Sequence, residues 1–418
     1  MVNPTLAVFA ASSLFTNVLI VNAFSIPAEV AASLAARNGA DIEFKDSCNT
    51  KYGGVTAKEM IEKAIEFAPK VAEAGAKGLD IPIKNYKGTL TDAEKKKPDY
   101  DRTIKTFQAL FWPVPPAGPN ACKGKPAPNT KPSPKRLELA NRLEKIQASL
   151  QRLKATSPSK PPPIIIHCDD TYWMTENEAN KDENKGKVKQ AKPNKTLGKG
   201  KKWYYDTDRN EWLDRSQGPC DNAKAGMTLI NDDAAQKAGL KERMTFCPAF
   251  LKVQQGRTAL WDLKKNDLPD KCTNSKGETR DWDIKCFSNL IGRNYLHEFM
   301  HTRTFYDEKN YFKDQNWPEG QSSTKAYEWD PAHGLAEADT KKSIADTVAT
   351  KNIDTITLWS LSMYYSDYEW YNGGKPKKIG GSRPSTPTTP GKKSTSPLPQ
   401  ARRTRSDRAF ITRHKTDM

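Results

Sequence analysis

The sequence predicts an α+β fold, mainly helical with a small sheet. Three observations carry that expectation. Apolar residues recur at helical spacing in several segments, short β-type apolar runs lie between them, and no internal repeat or coiled-coil heptad appears. The chain has 418 residues, of which 36% are hydrophobic, and its 29 prolines outnumber its 24 glycines. Stretches rich in Lys, Pro, Ser and Thr bury too little apolar surface to offset their ordering entropy. One folded core with disordered insertions and a disordered tail is therefore expected.

The elements follow in order. Residues 1–23 read as a secretory signal: an apolar run ends in Val21-Asn22-Ala23, a small-residue cleavage pattern, although no Lys or Arg precedes it. Ser12, Ser13, Thr16 and Asn17 interrupt that run and weaken it as a membrane span, and no later segment is long enough. Residues 24–47 are taken as a short pro-segment or N-terminal extension. The folded domain is expected over 48–372, with polar insertions at about 113–134 and 174–202, and a basic disordered tail over 373–418. Met60, Ile61, Ala64, Ile65, Ala68, Val71 and Ala72 predict an amphipathic helix that Pro69 should kink or split. Further helices are expected at 100–110 and 135–155. Pro161 to Cys168 reads as a buried strand, and Trp203–Asp206 with Glu211–Leu213 as a hairpin. Met244 to Leu251 reads as a strand running into a helix. Beyond it come helices at about 287–305 and 335–350, and a last one from Ile353 with Asn352 as its N-cap.

Charge and cysteine content narrow the function class. The net charge is +17, but from Lys375 onward twelve Lys/Arg face only Asp407 and Asp417. The excess is thus mostly in the tail, the folded part is mildly basic, and no nucleic-acid groove is implied. A tail-borne role in adhesion to cell wall or polyanion is a minor reading. The seven cysteines lie beyond residue 23 and form no CxxC pair, which points to disulfides in a secreted chain with one thiol over. Asn194-Lys195-Thr196 is a glycosylation sequon.

The chemistry centres on His297-Glu298-Phe299-Met300-His301, in a chain with only five histidines. On a helix, residues i and i+4 stack on one face, so two imidazoles can hold one zinc ion with the glutamate beside its open position. Glu298 is then the general base for the attacking water. A zinc site of this kind needs a third ligand. The longer HExxHxxGxxH pattern fails, because Thr304 and Asp307 stand at its glycine and third histidine. A carboxylate is left: Asp354, in the first turn of the last helix, or its rival Glu337.

These residues resemble the deuterolysin-like metalloendopeptidases of fungi, the aspzincins. The likeness rests on the HExxH and on Asn352-Ile353-Asp354, with looser matches at Lys45–Cys48, Ile166–Asp170, Phe246-Cys247 and Lys285-Cys286, and spans about 48–365. It implies a zincin-like domain, Zn²⁺ held by His297, His301 and Asp354, and hydrolysis of extracellular proteins or peptides; the secreted chain is expected to be a monomer. Asp330, in Glu328–Gly334, is the closest counterpart of the aspartate in the family's GTxxD segment, and is expected to be catalytic. The resemblance also implies Cys48–Cys168 and Cys220–Cys247 disulfides. The family's partner for Cys286 lies near the C-terminus, where this chain has no cysteine, so Cys272 is the substitute and Cys122 is left over. Three residues after Cys247 the family carries a catalytic tyrosine, where this chain has Phe250. Tyr327, Tyr364, Tyr365 or His333 is left to supply the missing donor. The same loss motivates an alternative: a catalytically impaired, protease-derived secreted binding protein or effector.

Overall fold

The computed structural model describes residues 42–379, apart from 112–133, 154–163, 222–224, 230–239, 256, 258, 274–277, 304, 307–310, 319–324 and 343–345. The expected signal, most of the N-terminal extension, the proline-rich connector with Cys122, and the tail from 380 lie outside the described residues.

The architecture is mixed α+β. The strands of the two larger sheets are β1 (Ile42–Phe44), β2 (Ile164–His167), β3 (Trp173–Thr175), β4 (Lys202–Asp206), β5 (Glu211–Arg215), β6 (Gly226–Leu229) and β7 (Glu242–Phe246). The main helices are α1 (Ala57–Gly78), α2 (Asp80–Lys87), α3 (Tyr100–Leu110), α4 (Pro134–Arg152), α5 (Pro248–Gln254), α6 (Ile291–Met300), α7 (Trp329–Asp339) and α8 (Ile353–Tyr364). A central four-stranded sheet runs in the order β1-β2-β7-β6. β1, β2 and β7 are mutually parallel and β6 is antiparallel to β7. A second sheet, β3-β4-β5, is an antiparallel meander that contains the expected hairpin.

The domain reaches further at both ends than expected. β1 lies inside the supposed N-terminal extension, because Ile42 and Phe44 pair with Ile164 and Ile166 and carry the hydrophobic alternation into the sheet. At the other end, Lys377–Lys378 pairs with Tyr368–Glu369, and the Gly374 carbonyl accepts from the Ile284 amide. The described part of the folded unit thus continues past residue 372, to Ile379.

The core forms around α1. A capping box between Thr56 and Glu59 starts this helix, and it then runs unbroken through Pro69. An interior proline costs about 3 kcal/mol. Burial of Ile61, Ile65, Phe67, Val71 and their neighbours outweighs it at about 1.5–3 kcal/mol per large side chain. α1 packs against α8 and α6. Gly75 and Gly78 permit the close crossing, since a Cβ at either would fall within 2.3–2.5 Å of Ser360 or Met363. The Trp359 indole donates to the Gly75 carbonyl at 2.9 Å and locks the pair.

Three disulfides staple this frame: Cys48–Cys168, Cys220–Cys247 and Cys272–Cys286. The first two are the pairs that the resemblance implied, and the third joins Cys286 to Cys272, the substitute expected for the family's missing C-terminal cysteine. The second sheet is joined to the first by a buried polar layer. Arg243 of β7 pairs with Asp206 of β4, both wholly buried. His167 stacks on Tyr172 at 3.8 Å and meets Asp208 at 3.0 Å, and the Tyr172 hydroxyl lies 2.6 Å from Thr245 Oγ1. The segment 174–202, expected as a solvated insertion, is mostly exposed, but its ends lie in β3 and β4 and it includes a capped helical turn, Glu176–Ala179.

Candidate metal centre

The motif helix is shorter than its sequence pattern suggests, because a 3₁₀ turn over Ile284–Asn289 takes up the first residues. Asp283 starts that turn, its side chain accepting from the Lys285 amide at 2.9 Å. Every residue of α6 is buried, so the helix is held on all sides, and His301 caps its C-terminus. The His297 and His301 rings lie 5.2 Å apart, as the i,i+4 spacing requires.

The residue opposite both rings is Asp314. Its Oδ1 lies 3.3 Å from His297 Nε2 and its Oδ2 3.4 Å from His301 Nε2. The three ligand atoms fall within 4.8 Å of one another, close enough to hold one metal ion. The donor chemistry fits such an ion. Both rings present Nε2, and Asp314 Oδ1 is buried with no hydrogen-bond partner among the described residues, an arrangement costly unless a cation completes it. Burial alone would raise the Asp314 carboxyl, but His301 and His297 overcome this and hold it well below the carboxylate range.

Asp354 stands on the other side of His297. Its wholly buried Oδ1 is 3.0 Å from His297 Nδ1 and is also paired with Arg293, while Oδ2 accepts the Glu328 amide. The expected third ligand thus faces the nitrogen that points away from Asp314. A carboxylate on Nδ1 fixes the ring's tautomer and orientation so that Nε2 is offered to a metal. Burial pushes the Asp354 carboxyl up, but Arg293 and His297 outweigh it and the net shift is downward. For His297, burial pulls the value down, yet Asp314 and Asp354 outweigh it and raise it to about 10.

Two loops complete the site, and Asn352 joins them. It stands at the N-cap of α8 but makes no side-chain cap. Its Oδ1 accepts from the Gln315 amide at 3.1 Å, and its Nδ2 donates to the Ala326 carbonyl at 3.2 Å. It therefore grips the residue after Asp314 and the residue before Tyr327. Phe312 anchors the Asp314 loop in the core beside Phe305. Tyr327 donates to Asp314 Oδ2 at 2.9 Å, its ring 5.8 Å from that of His297 and 44% exposed. Burial and then the Asp314 charge push the phenol up, so it remains a hydrogen-bond donor across ordinary pH. Glu328 follows with φ 67° and ψ −176°, a region nearly restricted to glycine. That turn aims its amide at Asp354.

Glu298 lies on α6 between the two histidines, and Thr228 of β6 donates to its Oε2 at 2.7 Å. Several expected residues lie elsewhere. Asp330 is a mostly exposed carboxylate 2.6 Å from Lys285, outside the His297-His301-Asp314 group. Glu337 is exposed and pairs with His333 across one turn of α7 at 3.4 Å. Phe250 is buried in the main core on α5. Of the four expected substitute donors, Tyr327 is hydrogen-bonded to the group. Sequence reading missed Asp314, Thr228 and Arg293. The one signal for Asp314 was its position as a carboxylate in the loop after the motif helix.

No protein-family model matches this chain, and no curated protein matches it. Among the described residues, no helix is long and apolar enough to cross a membrane.

Proposed function

We propose that the chain is a secreted, zinc-dependent metalloendopeptidase of the zincin type that hydrolyses extracellular proteins or peptides. The observation that carries this reading is the convergence of His297, His301 and Asp314 beside a glutamate of the same helix. Two imidazoles and one carboxylate are a donor set that suits zinc and leaves a position open to water or substrate. Bound there, zinc would supply Lewis acidity to the water and to the peptide carbonyl.

The residues divide the remaining work. Glu298 accepts the proton of the attacking water and returns it to the leaving amine. Asp354 holds the His297 ring from behind. The Tyr327 hydroxyl at the rim is donated to Asp314 Oδ2 in this structure; turned toward a bound substrate, the protonated phenol would steady negative charge developing on the carbonyl oxygen. It fills the role that Phe250 leaves vacant, which favours the enzyme over the impaired binding protein. Among the described residues β6 is an edge strand of the central sheet and lies against α6, so an extended peptide would have a strand edge to pair with next to the site. Three disulfides are in keeping with an oxidising, extracellular setting.

The test measures zinc content, together with cleavage of a denatured protein mixture with and without chelator. Stoichiometric zinc with chelator-sensitive cleavage is expected, and Glu298→Gln should abolish cleavage while zinc stays bound. Zinc without any cleavage would favour the binding-protein reading. A protein that takes up no zinc would overturn the site assignment.

A further inference from the structure

We infer that Thr228 is a positioning residue for Glu298, tying down one carboxylate oxygen so that the other is the one that takes the proton. This assignment rests on the endopeptidase reading above. The Thr228 hydroxyl reaches Glu298 twice: its Oγ1 is 2.7 Å from the side-chain Oε2 and 2.9 Å from the backbone carbonyl oxygen. A single hydroxyl proton shared between these acceptors links the carboxylate to its own helix backbone. The side chain is thereby held against free rotation.

A second observation comes from Gly226, two residues earlier and so on the same face of β6. A Cβ there would lie 2.6 Å from the Thr245 carbonyl oxygen, which excludes any side chain, and 3.7 Å from Glu298 Oε1. The strand therefore presents a hydroxyl to Oε2 and bare backbone next to Oε1. One oxygen is engaged and the other is left uncovered by the strand. Register makes the arrangement robust: Gly226 pairs with Phe246 and Thr228 with Met244, in the one strand pairing that β6 makes among the described residues. A one-residue slip would turn both away from Glu298.

Thr228→Val keeps the shape and removes the hydroxyl, whereas Thr228→Ser keeps the hydroxyl. In the zinc-loaded full-length protein, Thr228→Val should lower kcat on the order of ten- to a hundredfold. KM and zinc stoichiometry should stay near wild type, and Thr228→Ser should recover kcat to within about threefold. A readout independent of activity is the thermal midpoint of the metal-free protein. Thr228→Val should lower it clearly in the wild-type background and much less with Glu298→Ala already present. If the wild type cleaves and Thr228→Val cleaves equally fast, or if serine gives no rescue, the assignment is overturned while the endopeptidase reading stands. Additive midpoint shifts would likewise overturn it. A zinc-loaded wild type that cleaves nothing would overturn both.

Discussion

Carboxylates around one histidine divide the labour of the site. Asp314 and Asp354 approach opposite nitrogens of His297, so their substitutions should separate. Asp314→Asn should weaken zinc binding more than a hundredfold by competition with a chromophoric chelator, whereas Asp354→Asn should cost about ten- to a hundredfold. Equal losses would contradict the split. Tyr327→Phe should leave zinc in place and reduce kcat by about a hundredfold, a phenol's share of oxyanion stabilisation. The same residues dictate a pH response in the metal-free protein. His297 is raised from 6.5 to about 10 by Asp314 and Asp354 against the opposing effects of burial and Arg293. Its contribution to stability is therefore full below about 6.5 and lost as pH rises through about 10. Thermal midpoints of metal-free protein should fall across that window. Zinc-loaded protein, where the metal takes the place of the ring proton, should not show the fall.

At the scale of elements, the site is an agreement between α6, α8 and two loops, and Asn352 is where the loops are tied. Asn352→Ala should release both the Asp314 and the Tyr327 segments. The expected result is weaker zinc binding together with lower kcat, read against Thr355→Val, which removes only the bond from Asn352 to the helix at 2.9 Å. How much of this was legible in the sequence follows from distance along the chain. His297, Glu298 and His301 sit within five residues, and helical periodicity alone aligns them. Asp354 could be placed near them, but which imidazole nitrogen it meets depends on how α8 crosses α6. Asp314 lies thirteen residues past His301 in a polar loop with no periodicity. Its placement is decided by Lys313 bonding to Lys351 and by the Asn352 clamp, contacts that no local pattern encodes. The helix α1 is not split at Pro69 for a related reason: tertiary burial outweighed a local preference.

On the scale of the whole molecule, two sheets of different character share one buried ionic seam. The central sheet carries β6 to Glu298, and the second sheet leans on it through Arg243 and Asp206. Breaking such a pair from one side costs about 3–5 kcal/mol, because the survivor is left charged and dry. Asp206→Asn should therefore lower the midpoint of denaturant unfolding sharply, while Arg243→Met combined with Asp206→Leu should recover much of the loss. The seam also bears on ancestry. The meander β3-β4-β5 supplies the counter-charge for a buried arginine of the central sheet. Its deletion would strand that arginine, charged and dry, at a cost of about 3–5 kcal/mol. Any homologous chain that lacks the 173–215 meander should carry an uncharged residue where this one has Arg243.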